Sequence, residues 1–279
     1  MNDGRPGSPQ FSVLLPVYAG DEPAFLERAF ASVTHEQTLE PTEVVIVRDG
    51  PVGTELTSSL ETIRTGSPVP VVLVELEANV GLARALEEGL ARCAHEIVAR
   101  MDADDISEPS RFAVQVPLVA ERYDIVGSAI EEFEVEGGPA GIVRIPPLTS
   151  EEIDRAARFR SPFNHPSVVY RRSAVAAAGG YEDLPLMEDY WLFARMLAHG
   201  ARALNVADSL VRYRVGAGAY GRRGGTRLLA SELELQRRLR GIGFTSTLQE
   251  IRNSVLRGGY RLVPQALRRR AYRADARRR

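Results

Sequence analysis

Short apolar runs alternate with helical patterns through the first hundred residues, and that alternation restricts the fold more than any other feature of the chain. Residues 11–18 (FSVLLPVY) read as a buried strand closed by Pro16, and residues 43–48 (EVVIVR) as a second, ended by the Asp49-Gly50 turn signal. Pro70 to Leu76 is the third run, and Glu96-Ile97-Val98-Ala99 the fourth. Between them, Phe25, Leu26, Ala29, Phe30 and Val33 share one helical face. Leu56, Leu60 and Ile63 mark a weaker helix, and Leu82 to Ala94 a third. Strand–helix alternation predicts an α/β fold with a parallel sheet. In such a sheet the loops after the strands collect on one edge and form the ligand crevice. Pro16 to Tyr18, Asp49, Asn79 and Asp102 to Asp105 all follow predicted strands and are expected to converge there.

Beyond residue 105 the pattern is less regular. Ser107 is a candidate N-cap for a helix through Arg122, with Pro109 early in it and Pro117 bending it. Residues 124–135 and 141–145 read as extended, and Thr149 with Glu152 forms a capping-box pattern for a helix to about Arg158. Asn164 to Tyr170 is a further strand, Ser173 to Ala178 a short helix, Glu188 to His199 a well-patterned helix, and 202–206 and 209–215 two short strands. Five glycines from Gly216 to Gly225 mark a connector, which places a catalytic domain at 8–215 and an Arg-rich helical extension at 216–279. In the extension, Thr226 to Arg240 reads as a helix packed through Leu228, Leu229, Leu233 and Leu239.

Composition excludes several chemistries. All 35 basic residues are Arg, so no mechanism that needs a Lys, whether phosphate-loop or Schiff-base, is open to this chain. Residues 1–200 carry 16 Arg against 32 acids and residues 201–279 carry 19 Arg against 5, so a net −16 body adjoins a net +14 end. That split predicts an acidic catalytic body and a basic end that meets an anionic surface. The N-terminal residues Met1 to Gln10 have no apolar core of a signal peptide, and no apolar run approaches the roughly 20 residues of a membrane span. The single Cys93 continues the spacing of Leu82, Leu86 and Leu90, which makes it a core position, and the chain offers no Cys/His cluster for zinc. A cytoplasmic location is expected.

The chemistry centres on Arg100-Met101-Asp102-Ala103-Asp104-Asp105. Like charges side by side repel, so three acids at a strand end are not there for stability alone. Two Asp at i,i+2 on extended chain point to one face and offer hard oxygen ligands to a divalent cation. Surface loops also carry such clusters, so the cluster by itself leaves both readings open. Glu188-Asp189 at a helix start has the same double character, since acids there also complement the helix dipole.

The ordered set FSVLLPVY, EVVIVRDG, NVGLARALEEGL, ARMDADD, FNHPSVVY and MEDYWLFARM resembles the family 2 glycosyltransferases of GT-A fold, most closely the amylovoran-type bacterial branch. The resemblance covers roughly residues 11–215 and implies a Rossmann-like, mostly parallel sheet flanked by helices. By that resemblance, Pro16, Val17 and Tyr18 pack on the base and ribose of a nucleotide-diphosphate-sugar donor, with a UDP-sugar the default. Asp49 is the base-recognising acid, and Asn79, Gly81 and Arg84 line the nucleotide and diphosphate side. Asp102, Ala103 and Asp104 match the DxD motif that holds Mg²⁺ or Mn²⁺, and Asp105 its common third acid. The resemblance also implies inversion at the anomeric carbon by one displacement. It puts the general base in the ED pair, with Asp189 favoured over Glu188.

Trp191 is expected to stack on a sugar or to pack in the core, and His165 to sit at the site edge or to be structural. Arg212-Tyr213-Arg214 resembles the family's late YR motif but is followed by Val215 and Gly216 rather than a His, so it is expected to bring Arg214 to phosphate or acceptor and not to bind metal. The acceptor is expected to be a glycan or a lipid-linked glycan. Arg261, Arg268, Arg269, Arg270 and Arg273, with Leu262, Leu267 and Tyr272, suggest an interfacial segment over 261–279 that meets anionic membrane, an oligomer contact, or a solvated helix end. Nucleic acid is not an expected partner. The competing classes are a sugar-phosphate nucleotidyltransferase, whose glycine-rich basic signature is missing after the first strand, and a non-catalytic nucleotide-sugar-binding relative.

Overall fold

The structure, a computed structural model, describes residues 8–139, 141–215 and 226–262. The first half follows the expected alternation: β1 (Phe11–Tyr18), α1 (Pro23–Val33), β2 (Glu43–Asp49), α2 (Thr54–Gly66), β3 (Val71–Glu75), α3 (Leu82–Arg92) and β4 (Ile97–Arg100). Then come β5 (Ile106–Ser107), α4 (Arg111–Glu121), β6 (Ile125–Phe133), β7 (Val143–Arg144), α5 (Ser150–Ala157), a 3-10 turn at His165–Ser167, β8 (Val169–Arg171), α6 (Arg172–Ala177), α7 (Glu188–Ala198) and β9 (Ala203–Arg214). Two helices follow, α8 (Thr226–Gly241) and α9 (Thr247–Leu262).

The strands form one sheet in the order β3-β2-β1-β4-β8-β6-β9-β5, with β7 paired to β6. Strands β1 to β4 are parallel, whereas β8 runs antiparallel to both β4 and β6. The sheet is therefore mixed, and the start of β8 lies against the carboxyl end of β4. Two apolar layers cover its faces. One holds Phe11, Val13, Leu15, Phe30 and Phe112, and the other Leu14, Val45, Leu86, Phe193 and Cys93, as expected for the lone cysteine.

Several local expectations change. Pro16 does not end β1, which continues to Tyr18 in register with β2. The Leu14 carbonyl accepts from Met101 N–H, so Leu14 and, two residues on, Pro16 both face the β4 side. Pairing to β4 stops at Leu14, and the donor that Pro16 lacks is not needed there. Ser107 is not an N-cap but half of β5, paired with Val211, and α4 begins at Arg111. The strand expected over Asn164 to Tyr170 is mostly a 3-10 turn, and the two strands expected between 202 and 215 are one strand with register shifts. The Thr149–Glu152 capping box is present, with both of its reciprocal hydrogen bonds.

In α8 the buried face is Leu228, Ser231, Glu232, Leu235, Gln236 and Leu239; Leu233 is exposed, contrary to expectation. Its leucines share a core with Leu184, Tyr190 and Trp191, which fastens α8 to α7. The α8–α9 contact is polar. The fully buried Glu232 carboxylate accepts from Arg257 Nε at 2.8 Å and from Arg261 Nη2 at 2.8 Å, and Asn253 Nδ2 donates to Gln236 Oε1 at 2.9 Å. Arg261, expected on a membrane-facing surface, is thus bound inside the protein, and residues 263–279 of that expectation lie outside the described residues.

Removing one member of a buried ion cluster strands the charges left behind. Glu232→Ala is expected to destabilise the α8–α9 contact by about 2–3 kcal/mol. Amide exchange in α9 should then speed up by about thirtyfold or more while β1, β2 and β4 stay protected. Unchanged α9 protection would show that Glu232 does not hold this helix.

Candidate active site

The carboxyl ends of β1, β2 and β4 open on one edge, and β9 ends beside them. After Arg100 the chain leaves the sheet in a turn at Ala103-Asp104 rather than continuing extended. The carboxylates of Asp102, Asp104 and Asp105 converge because of that turn, not because of strand alternation, and their oxygens lie within 4.8 Å of one another. Asp105 is fully buried; its Oδ1 accepts from Arg214 N–H at 2.8 Å, while its Oδ2 has no partner. Arg214 Nε donates to the Asp104 carbonyl at 2.8 Å, and its guanidinium lies over the rings of Phe25 and Phe133. Arg214 therefore reaches the acidic cluster and clamps its backbone, a contact other than the phosphate or acceptor expected for it.

A fourth acid, Asp21, stands beside them and was not anticipated. Its Oδ2 accepts from Tyr18 N–H at 2.9 Å. Burial pushes its pKa up to about 7, with Asp104 and Asp102 adding to the rise. Burial and then Asp102 push Asp104 up to about 6, and burial followed by the Asp102 and Asp104 charges raises Asp105 strongly. Across from this cluster, burial and then Asp189 push Glu188 up to about 7. Asp189 is also raised, mainly by burial, against the pull of Tyr190 N–H and of Arg100. Both members of the pair feel the charges of Arg100 and Asp102, which places them on the same crevice. Just before them Leu186 has φ 65°, the only non-glycine with positive φ among the described residues. Strain of that kind persists where the surroundings hold a segment in place.

Arg100 sits between the two groups. It is 2% exposed, forms an ion pair with Asp102 through Nη2, and its Nε and Nη1 have no hydrogen-bond partner. Behind it, the fully buried Arg111 donates through Nη2 to the Arg100 carbonyl at 2.7 Å and through Nε to Gln115 at 3.2 Å. Burial and then the nearby Arg100 charge push Arg111 down to about 9. Arg100 has no expected role from the sequence although it lies in the ARMDADD motif; an arginine ending an apolar strand is its signal there. Asp21, three residues past the end of β1, has no such signal.

The residues expected to line a nucleotide differ widely in exposure. Tyr18 is 48% exposed, but Val17 is in the core and Pro16 is buried, so of the three only Tyr18 offers a side chain. Asp49 is 5% exposed, and its two oxygens accept from Val80 N–H at 2.7 Å and Gly81 N–H at 3.0 Å. Its carboxylate thus shapes the 79–81 loop, which also uses Asn79 Nδ2 on the Asp49 carbonyl and a positive φ at Gly81. Arg84 is exposed in the first turn of α3 with no partner among the described residues, and Ala103 is buried, leaving only its backbone to meet a ligand.

Trp191 does not offer a stacking platform. It is 4% exposed, donates from Nε1 to Glu182 at 2.8 Å, and lies beneath α8 with Arg195 and Arg238 over its ring. His165 hydrogen-bonds Tyr181 Oη through Nε2 at 2.8 Å and packs against Phe193. Burial and then Arg100 hold its pKa well below the ordinary histidine range, so the ring is neutral.

The curled mixed sheet, its covering helices and this carboxylate-rich edge are those of a GT-A glycosyltransferase. The glycosyl transferase family 2 model matches residues 12–178, and the chain belongs to that family. It is 38% identical over 258 residues to the amylovoran biosynthesis glycosyltransferase AmsE of Erwinia amylovora, covering 91% of this chain and 94% of that one. It is 36% identical to the UDP-Gal:alpha-D-GlcNAc-diphosphoundecaprenol beta-1,3-galactosyltransferase of Escherichia coli, over 94% of each. Among solved structures, a mannosyltransferase from Pyrobaculum calidifontis in complex with GDP-Man and Mn²⁺ superposes with a TM-score of 0.65 at 19% identity, over 96% of this chain and 76% of that one. S. aureus TarS 1-349 in complex with UDP-GlcNAc gives 0.63 at 19% identity, over 88% and 69%.

The raised carboxyls fix the sign of a pH effect. The native state keeps protons on Asp104, Asp21 and Glu188 that the unfolded chain has already released. Their contribution to stability is therefore full below about pH 4 and is lost as pH rises through 6 to 7. Asp104→Asn carries no such charge. Its melting temperature relative to the parent should rise between pH 5 and pH 8 in chelator, and Mn²⁺ should narrow the gap at pH 8 by stabilising the parent alone. A constant difference across that range would show that Asp104 is not under this repulsion.

Proposed function

We propose that the protein transfers a sugar from a UDP-sugar to a hydroxyl of a lipid-linked glycan, with inversion at the anomeric carbon, in the synthesis of a bacterial surface polysaccharide. The observation that carries this reading is the pairing of two carboxylate groups, the Asp102–Asp104–Asp105 cluster and the Glu188–Asp189 pair, around Arg100. The known roles of the two bacterial relatives, one in amylovoran biosynthesis and one a UDP-Gal-dependent galactosyltransferase on a diphosphoundecaprenol-linked sugar, support the donor, the lipid-linked acceptor and the polysaccharide.

The acidic cluster fits a divalent cation. It offers three convergent hard-oxygen donors, one of them a buried oxygen with no partner, and their mutual repulsion is what a dication relieves. Asp102 and Asp104 would hold Mg²⁺ or Mn²⁺, with Asp105 behind them. A bound dication supplies charge neutralisation to the departing diphosphate. Tyr18 flanks the nucleotide, and Arg214 fixes the backbone that carries Asp104. In the transfer, the acceptor oxygen forms its bond to the anomeric carbon as the carbon–oxygen bond to UDP breaks. The bonding pair leaves with UDP, and the acceptor proton passes to the Asp189 carboxylate.

Asp189 is favoured because Tyr190 N–H supports its ionised form, which a base must have, against the burial that raises it. One observation favours Glu188 instead: at about 7 its pKa is the better matched to proton transfer at neutral pH. The variants separate the two. Asp189→Asn is expected to lower kcat by about 10²–10⁴-fold with UDP-sugar binding retained, while Glu188→Gln loses less than about tenfold. Asp104→Ala should abolish both metal-dependent donor binding and transfer. Rates reversed between Asp189→Asn and Glu188→Gln would make Glu188 the base, and full activity in both would remove the base from this pair.

A further inference from the structure

Helix α9 is built inside out. Its protein-facing side is polar: Asn253 is fully buried, and Arg257 and Arg261 are both committed to Glu232. Its outward side carries Leu248, Ile251 and Val255 at i, i+3 and i+7, exposed by 78%, 58% and 66%, with Leu256 at 56% and Tyr260 at 38% beside them. A helix lying on a globular protein normally turns this stripe inward. Here the inward polar contacts fix the rotation of the helix, so the apolar face cannot roll into the core. Such a contiguous face marks an interaction surface rather than scattered surface leucines.

Charge identifies the occupant. Every exposed residue of α9 from Thr247 to Tyr260 is apolar, neutral or Arg; none is acidic. The sequence that follows, residues 263–279, adds seven Arg against one acid, and residues 201–279 as a whole carry a net +14. A symmetric contact with a second copy of this face would set those like charges against each other. An apolar stripe bordered by arginine is instead the composition of a helix lying in an anionic lipid interface.

We propose that the outward face of α9 docks the protein on an anionic membrane surface, with Leu248, Ile251, Val255 and Leu256 entering the acyl boundary and the exposed Arg252 meeting the headgroups. The face lies on residues that hold none of the proposed catalytic groups. No described helix is long and apolar enough to cross a membrane, so the contact is one of surface association. The acceptor assigned above is a separate question, and vesicle binding is read without any sugar transfer.

The test is co-sedimentation of the full chain with vesicles of phosphatidylcholine alone or mixed with phosphatidylglycerol. The parent is expected to bind the mixed vesicles and to leave the neutral ones in solution. Ile251→Ser/Val255→Ser should lower binding to the mixed vesicles by about tenfold or more, with its melting temperature and its mass in sedimentation unchanged. The proposal is overturned if the parent ignores the mixed vesicles, if it binds neutral vesicles equally well, or if the double variant binds like the parent. It is equally overturned if the double variant turns a dimer into a monomer, since the face would then join two copies.

Discussion

The site depends on a positive charge where the fold would rather have none. Arg100 ends a four-residue strand that is buried throughout, and its guanidinium lies among Asp102, Asp104, Asp105, Glu188 and Asp189. Burying one cation costs several kcal/mol unless charge and hydrogen bonds compensate it, and burying several carboxylates together costs more. Each group makes the other tolerable. Burial is the main reason these carboxyls hold protons near neutrality, and the excess of acids over the nearby arginines adds to it. An added dication would remove most of that excess, and this is the physical basis for reading the edge as a nucleotide-sugar site.

The mixed sheet is what brings the pieces together. A purely parallel arrangement would have delivered the ends of β1, β2 and β4 to one edge and nothing more. Because β8 enters antiparallel, its first residues lie beside the end of β4, and Arg100 N–H donates to the Val168 carbonyl at 3.0 Å. His165 and Tyr181, hydrogen-bonded to each other, also lie near Arg100. Strand β9 returns parallel to β6, so Arg214 arrives at Asp105 from the far side. The acids come from short-range sequence, but the groups that restrain them come from more than a hundred residues later.

That division explains what was legible in the sequence. The strand–helix alternation, the acidic cluster after β4 and the Glu188–Asp189 pair at the start of α7 each announce themselves locally, through periodicity or clustered charge. Residues whose role depends on distant packing do not. Val17 and Trp191 sit close to site residues in sequence yet point into cores, because side chains alternate faces along a strand and positions two apart on a helix lie on nearly opposite sides. Asp49 follows a strand as expected, but the 79–81 loop folds over it and takes both of its oxygens. Helix α9 is not legible in the sequence. Its buried side is polar, so apolar periodicity gives no sign of which face is covered, and Glu232 disguised the buried face of α8 in the same way.

Together these features describe a family 2 glycosyltransferase whose crevice carries more negative charge than its own arginines neutralise. The measurement that tests this most directly is calorimetric titration of UDP into the protein, with Mn²⁺ and with chelator. The account predicts UDP binding with Mn²⁺ that weakens by at least about a hundredfold when the metal is removed, since the diphosphate would then face uncompensated carboxylates. Equal UDP affinity with and without the metal would contradict it.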